Sequence, residues 1–124
     1  MLIEEELTEA IIGAAIEVHK AIGPGLLESS YQRCLAREFD LRGIRYRQEV
    51  DLPLTYKGVI IDCAYRIGFI VEEKIVIELK SVEKLIPIHE AQLLTYLKLS
   101  KLRVGLLINF NCAAIRNSFI RRVL

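Results

Sequence analysis

The chain has 124 residues, and 17 Lys plus Arg against 16 Asp plus Glu give a net charge of +1. That balance excludes a polybasic nucleic-acid coat acting through bulk charge, while a local basic groove stays open. Hydrophobic residues make up 52% and the mean hydropathy is +0.32, but the best apolar stretch, Ala10–Ile16, stops at Glu17, His19 and Lys20, short of the roughly 20 apolar residues a membrane span needs.

Length and composition predict one domain over residues 1–124, with room for a core without disulfides. From about Leu7 to Ala21 the apolar residues Ile12, Ala15, Ile16 and Ile22 share a helical stripe with His19, best read as a packed histidine. Gly23-Pro24-Gly25 ends that helix. A second helix is predicted from about Leu27 to Leu41, with Tyr31, Leu35 and Phe39 in i, i+4 steps and Gly43 as its stop. Alternation then replaces helical spacing over Ile44–Val50. Leu52–Tyr56 and Val59–Ile61 flank a Lys57-Gly58 turn, and Ala64–Val71 and Ile75–Leu79 flank Glu72-Glu73-Lys74. Pro87 suits the first position of a third helix running from Ile88 to about Leu99. Arg103–Ile108 reads as a buried strand; Ala113–Leu124 is ambiguous, with a strand as one option for its end. The order α-α-β-β-β-β-α-β predicts an α/β fold, a mixed central sheet flanked by helices.

The acidic start Met1-Leu2-Ile3-Glu4-Glu5-Glu6 argues against a signal or transit peptide. Cys34, Cys63 and Cys112 are odd in number and form no CxxC pattern, so they read as small buried hydrophobes in a reducing, cytoplasmic setting. The chemistry concentrates in Ile75-Val76-Ile77-Glu78-Leu79-Lys80. Residues i and i+2 of a strand face the same way, so Glu78 and Lys80 project together. Burying either charge alone is costly, and each wants a partner. On spacing alone, a plain ion pair at a strand end explains them as well as a catalytic pair does.

Glu78-x-Lys80 after an apolar strand resembles the second half of the PD-(D/E)xK nuclease signature. Gly25-Leu26-Leu27-Glu28-Ser29-Ser30-Tyr31 is similar to the pattern of the GxxExxY proteins, a small-domain branch of that superfamily. Further matching segments are Tyr65-Arg66, Val71, Glu78-Leu79-Lys80-Ser81, His89-Glu90-Ala91-Gln92, Thr95-Tyr96-Leu97-Lys98 and Val104–Phe110. The resemblance implies a restriction-endonuclease-like three-layer sandwich and hydrolysis of nucleic acid, DNA ahead of RNA, with Mg²⁺ or Mn²⁺. It implies Glu78 as a metal ligand, Lys80 as the catalytic cation, Glu28 as an extra helical acid, and Gln92 with Tyr96 as a Q-x-x-x-Y element.

The first acid of the signature belongs in the strand Ala64–Val71. With the turn centred on Glu73, antiparallel pairing puts residue 68 opposite residue 78. Related sequences usually read Asp there; this chain reads Gly68. Hard divalent cations want oxygen ligands, so loss of this acid is expected to weaken metal binding sharply; Glu28 and Asp62 are the candidate substitutes, although Asp62 is roughly 20 Å up an extended strand and serves only if the strand bends strongly. Tyr31, His89 and Tyr96 are candidates for nucleic-acid contact through stacking or polar groups. Arg42, Arg45 and Arg47, and Arg116, Arg121 and Arg122, form two weak basic groups whose commoner meaning is a solvated edge. The expectations are therefore a metal-dependent nuclease, a degenerate nuclease fold kept for binding nucleic acid or protein, and, with either, a homodimer through the apolar surplus.

Overall fold

The helical stripes form as the spacing requires. The computed structural model describes residues 3–124, apart from the side chains of Cys63 and Ala64. Helix α1 is Glu5–Ile22 and buries Ile11, Ile12, Ala15, Val18 and His19. It ends where Gly23 takes φ 70 and its N–H bonds the His19 carbonyl. The His19 ring is packed as expected, its Nε2 2.9 Å from the Cys112 carbonyl oxygen. Helix α2, Glu28–Arg42, buries Tyr31, Leu35 and Phe39 on one stripe and stops at Gly43 in the left-handed conformation.

Three strands follow, fewer than the alternation suggested. Strand β1 is Tyr46–Tyr56 and β2 is Val59–Val71. The expected breaks after Val50 and Ile61 do not occur, because pairing continues through them: Asp51 lies opposite Arg66, with an ion pair at 2.9 Å. Lys57 and Gly58 have φ 47 and 81, the left-handed pair that two-residue hairpins need. Glu72 and Glu73 have φ 52 and 55 at the turn into β3, Ile75–Lys80. These acids pair with Arg45 at 3.1 Å and Arg47 at 2.7 Å, so those arginines fasten a turn. Helix α3, Pro87–Ser100, opens on its proline as predicted. Strand β4 is Val104–Asn109, and the ambiguous tail resolves into a 3-10 turn, Ile115–Asn117, and strand β5, Phe119–Val123.

The sheet order is β1-β2-β3-β4-β5. β3 and β4 are parallel, joined through α3, and the other neighbours are antiparallel, so the sheet is mixed as expected. One core lies between the sheet and α1 with α2, around Tyr31, Phe39, Phe69, Ile77 and Phe110. The other lies under α3, around Ile67, Ile70, Val76, Leu93 and Leu107. This three-layer α/β arrangement absorbs the apolar surplus: β3 and β4 are buried on both faces. No helix among the described residues is long and apolar enough to cross a membrane.

Two strands change sides. On β2, Phe69 and Val71 face α1 and α2, whereas Ile67 faces α3; strict alternation would put Ile67 with Phe69. On β1, Tyr46 and Val50 likewise face opposite cores. The switches fall at Gly68 and at Glu49.

Contact of α3 with β4 is set by Gly105. A Cβ there would sit 2.8 Å from Leu93 Cδ1 and 3.0 Å from its Cγ, and the fully buried Leu93 cannot swing out to solvent. Gly105→Ala is expected to destabilise the fold by about 1–3 kcal/mol through overpacking, read as a lower urea midpoint at unchanged m-value.

Candidate active site

The site begins where two paired strands separate. The β2–β3 ladder runs from Val71↔Ile75 to Phe69↔Ile77 and ends there, while β3 continues against β4 through Glu78↔Leu107 to Lys80↔Asn109. The next backbone donor of β2, the Gly68 N–H, therefore lacks a strand partner. It donates to Glu78 Oε1 at 2.9 Å, placing residue 68 beside residue 78 as the turn geometry predicted. Glu78 is only 8% exposed. Burial pushes its carboxyl up to about 7; the Gly68 N–H and the Lys80 ammonium pull it down, and the charges of Glu28 and Glu49 push it further up.

The charges acting on Glu78 come from three elements. Lys80 is two residues along β3, half-buried. Glu28 is exposed at the first turn of α2. Glu49 belongs to β1. From α3 comes Tyr96, 8% exposed, its ring edge-on to Tyr65 with centroids 5.9 Å apart. Burial, with the charge of Glu78 next, pushes its hydroxyl up to about 12, so it keeps its proton within reach of the Glu78 charge. Gln92 lies one turn earlier on α3 and is half-buried, which matches the predicted stacking of Gln92 and Tyr96 on one helix face.

Three other candidates fall elsewhere. Tyr31 is fully buried, stacked on Phe110 at 4.6 Å, and its hydroxyl donates to the Gly23 carbonyl at 2.6 Å. Its ring is core and closes the α1–α2 loop, so it is not available to stack on a base. His89 Nδ1 accepts the Ile86 N–H at 3.1 Å, which commits that nitrogen to the start of α3. Asp62 is exposed, in the stretch of β2 where the register against β1 shifts. The change of face in β2 comes at Gly68, six residues away, and Asp62 is not among the charges felt by Glu78.

The profile of the PD-(D/E)XK nuclease superfamily matches residues 5–123. The chain belongs to the PD-(D/E)XK nuclease superfamily. Among solved structures, the crystal structure of SSO0001 matches 98% of this chain and 79% of its own, with a TM-score of 0.52 at 19% identity, a likeness of fold alone. No curated protein matches the chain.

PD-(D/E)XK nucleases generally use Mg²⁺ or Mn²⁺. Among the described residues, no three His, Cys, Asp or Glu side chains stand together as a metal cluster. The donors around Gly68 are nevertheless of the right kind. A Cβ on Gly68 would meet the Ile77 carbonyl oxygen at 3.4 Å, Glu78 Oε1 at 3.7 Å and Gln32 Oε1 at 3.8 Å. Three oxygens thus surround the place of the missing side chain, one of them on a buried carboxyl whose ionisation an added cation would favour. Mg²⁺ binds through one or two carboxylates and keeps several waters, so this donor set fits it. Gln32 and Glu49 escape sequence reasoning. Counting back from the Lys57-Gly58 turn sets Glu49 opposite residue 66, and only the register shift between Leu52 and Leu54 moves it opposite Gly68. Pro53, which lacks an N–H and favours such irregularities, is the one local signal for the shift.

The raised carboxyl gives a signed pH dependence. An ordinary Glu near 4.5 in the unfolded chain against about 7 in the fold means that folding takes up a proton between those values. Glu78 therefore makes the fold less stable as pH rises from about 4.5 to about 7, by on the order of 3 kcal/mol in full, with no further loss above. Glu78→Gln keeps an acceptor for the Gly68 N–H and removes the charge. In metal-free urea unfolding, the variant should gain on the wild type by on the order of 2–3 kcal/mol between pH 5 and pH 8. A gap that does not change with pH would show that Glu78 ionises normally.

Proposed function

We propose that this protein is a metal-dependent nuclease of the GxxExxY type that hydrolyses phosphodiester bonds, with DNA the first substrate to test and Mg²⁺ or Mn²⁺ the cofactor. The observation that carries the reading is the buried Glu78, joined to Gly68 across the opened strands, with Lys80 following on the same strand face. When bound, the cation polarises the phosphate and lowers the pKa of an attacking water. Glu78 and the oxygens around Gly68 would hold it. Lys80 stabilises charge developing on the phosphate oxygens. Gln92 and the protonated Tyr96 hydroxyl border the site from α3, and Glu28 borders it from α2.

Gly68 supports a second reading, a nuclease fold kept for binding after losing one acid. Cleavage separates the two. Purified protein with single- and double-stranded DNA and RNA should cleave only with Mg²⁺ or Mn²⁺, and Lys80→Ala should lower the rate by on the order of 10²–10³-fold without changing the fold by circular dichroism. Cleavage unchanged in Lys80→Ala would remove Lys80 and this site from the chemistry. Nucleic-acid binding without cleavage in either metal would favour the second reading.

A further inference from the structure

We propose that Glu49 supplies the second carboxylate of the metal site, taking over from the neighbouring strand the position that Gly68 leaves without an acid. The inference rests on the nuclease reading and names a residue that the E-x-K signature does not contain.

Register makes the case first. Gln48 pairs with Phe69 and Val50 with Ile67, so Glu49 stands opposite Gly68, and Gly68 stands beside Glu78. The three positions form one row across three strands. Adjacent strands are about 4.8 Å apart, so a glutamate side chain on β1 spans the spacing that an aspartate on β2 would not need to cross.

Conformation makes it second. Glu49 has φ 51, which costs a non-glycine residue energy. The other described non-glycine residues with positive φ are Glu4, Lys57, Glu72, Glu73 and Lys101, all at helix caps or tight turns. Glu49 alone among them lies inside a strand, where no turn asks for it. Strain of this kind persists only where the surroundings hold it.

Gln32 links the two positions. Its side-chain nitrogen donates to Glu49 Oε1 at 2.6 Å, and its Oε1 lies 3.8 Å from where a Cβ on Gly68 would be. One amide thus holds the Glu49 carboxylate and contributes an oxygen to the cradle. Arg66 reaches Glu49 at 3.9 Å but Asp51 at 2.9 Å, so its closer partner is Asp51. The Glu49 charge also acts on Glu78. Gln32 is accordingly a positioning residue for Glu49.

Mn²⁺ binding without nucleic acid tests the assignment by titration calorimetry on the full chain. Glu49→Gln and Glu78→Gln should each weaken Mn²⁺ by at least about tenfold, because affinity follows the number of charged ligands. Adding Gly68→Asp to Glu49→Gln should restore most of the loss. Glu49 is half-exposed, so these variants are expected to fold. Glu49→Gly serves as a second probe: it removes the backbone strain, and its melting temperature without metal should be no lower than that of the wild type while Mn²⁺ affinity falls as in Glu49→Gln. Mn²⁺ affinity within twofold of the wild type in both Glu49 variants, with loss in Glu78→Gln, would overturn the role of Glu49 and leave the nuclease reading standing. Absence of Mn²⁺ binding by the wild type would overturn both.

Discussion

Much of the molecule's chemistry follows from one hydrogen bond, the Gly68 N–H to the Glu78 carboxylate. Backbone donors removed from water need a partner. Where β2 parts from β3 the strand no longer supplies one, and a side chain takes its place. A neutral amide or hydroxyl would do the same with less penalty. The carboxyl stays although burial works against its ionisation, and that cost is borne at the one place where the sheet opens toward α2 and α3. Stability alone does not select such a residue, and a buried carboxyl shifted this way is a candidate functional group.

The electrostatics around this bond have a plain sense. Glu28 and Glu49 act on Glu78 from one side of the balance and Lys80 from the other, so the site is net anionic. A nucleic acid is a polyanion and binds through neutralised phosphates. Glu28 and Glu49, joined by Glu78 once it ionises, would repel it unless a divalent cation intervened. The overall charge of +1 does not compensate, and Arg45 and Arg47 are engaged at the turn by Glu72 and Glu73. On the proposed nuclease reading, the local charge calls for a divalent cation as much as the geometry of any single ligand does.

What could be read in advance divides along the range of the interactions. Helix spans and stops came from short-range spacing and glycines, and α1, α2 and α3 follow them closely. The pairing of residue 68 with residue 78 was legible because a short turn with a known centre fixes register over a few residues. Glu49 was not, because two extra residues of β2 across the shift near Pro53 carry the count past it. Tyr31 shows the opposite error: an aromatic in a family pattern looks like a contact for bases until packing shows it stacked on Phe110, a residue far away in sequence. The division of β1 and β2 into shorter strands failed for a related reason, since polar residues such as Asp51 interrupt the alternation on paper but pair across the hairpin in space.

The row Glu49, Gly68, Glu78 lies wholly within two hairpins closed by tight turns. Contacts between near neighbours in sequence form at little entropic cost, whereas the parallel pairing of Ile75 with Val104 waits for the chain to pass through α3. The row therefore depends on local pairing alone, whereas Lys80 has its neighbour Asn109 only through the crossover. Burial of Glu78 joins the two, since the strand that carries it closes the local row on one edge and the crossover pairing on the other.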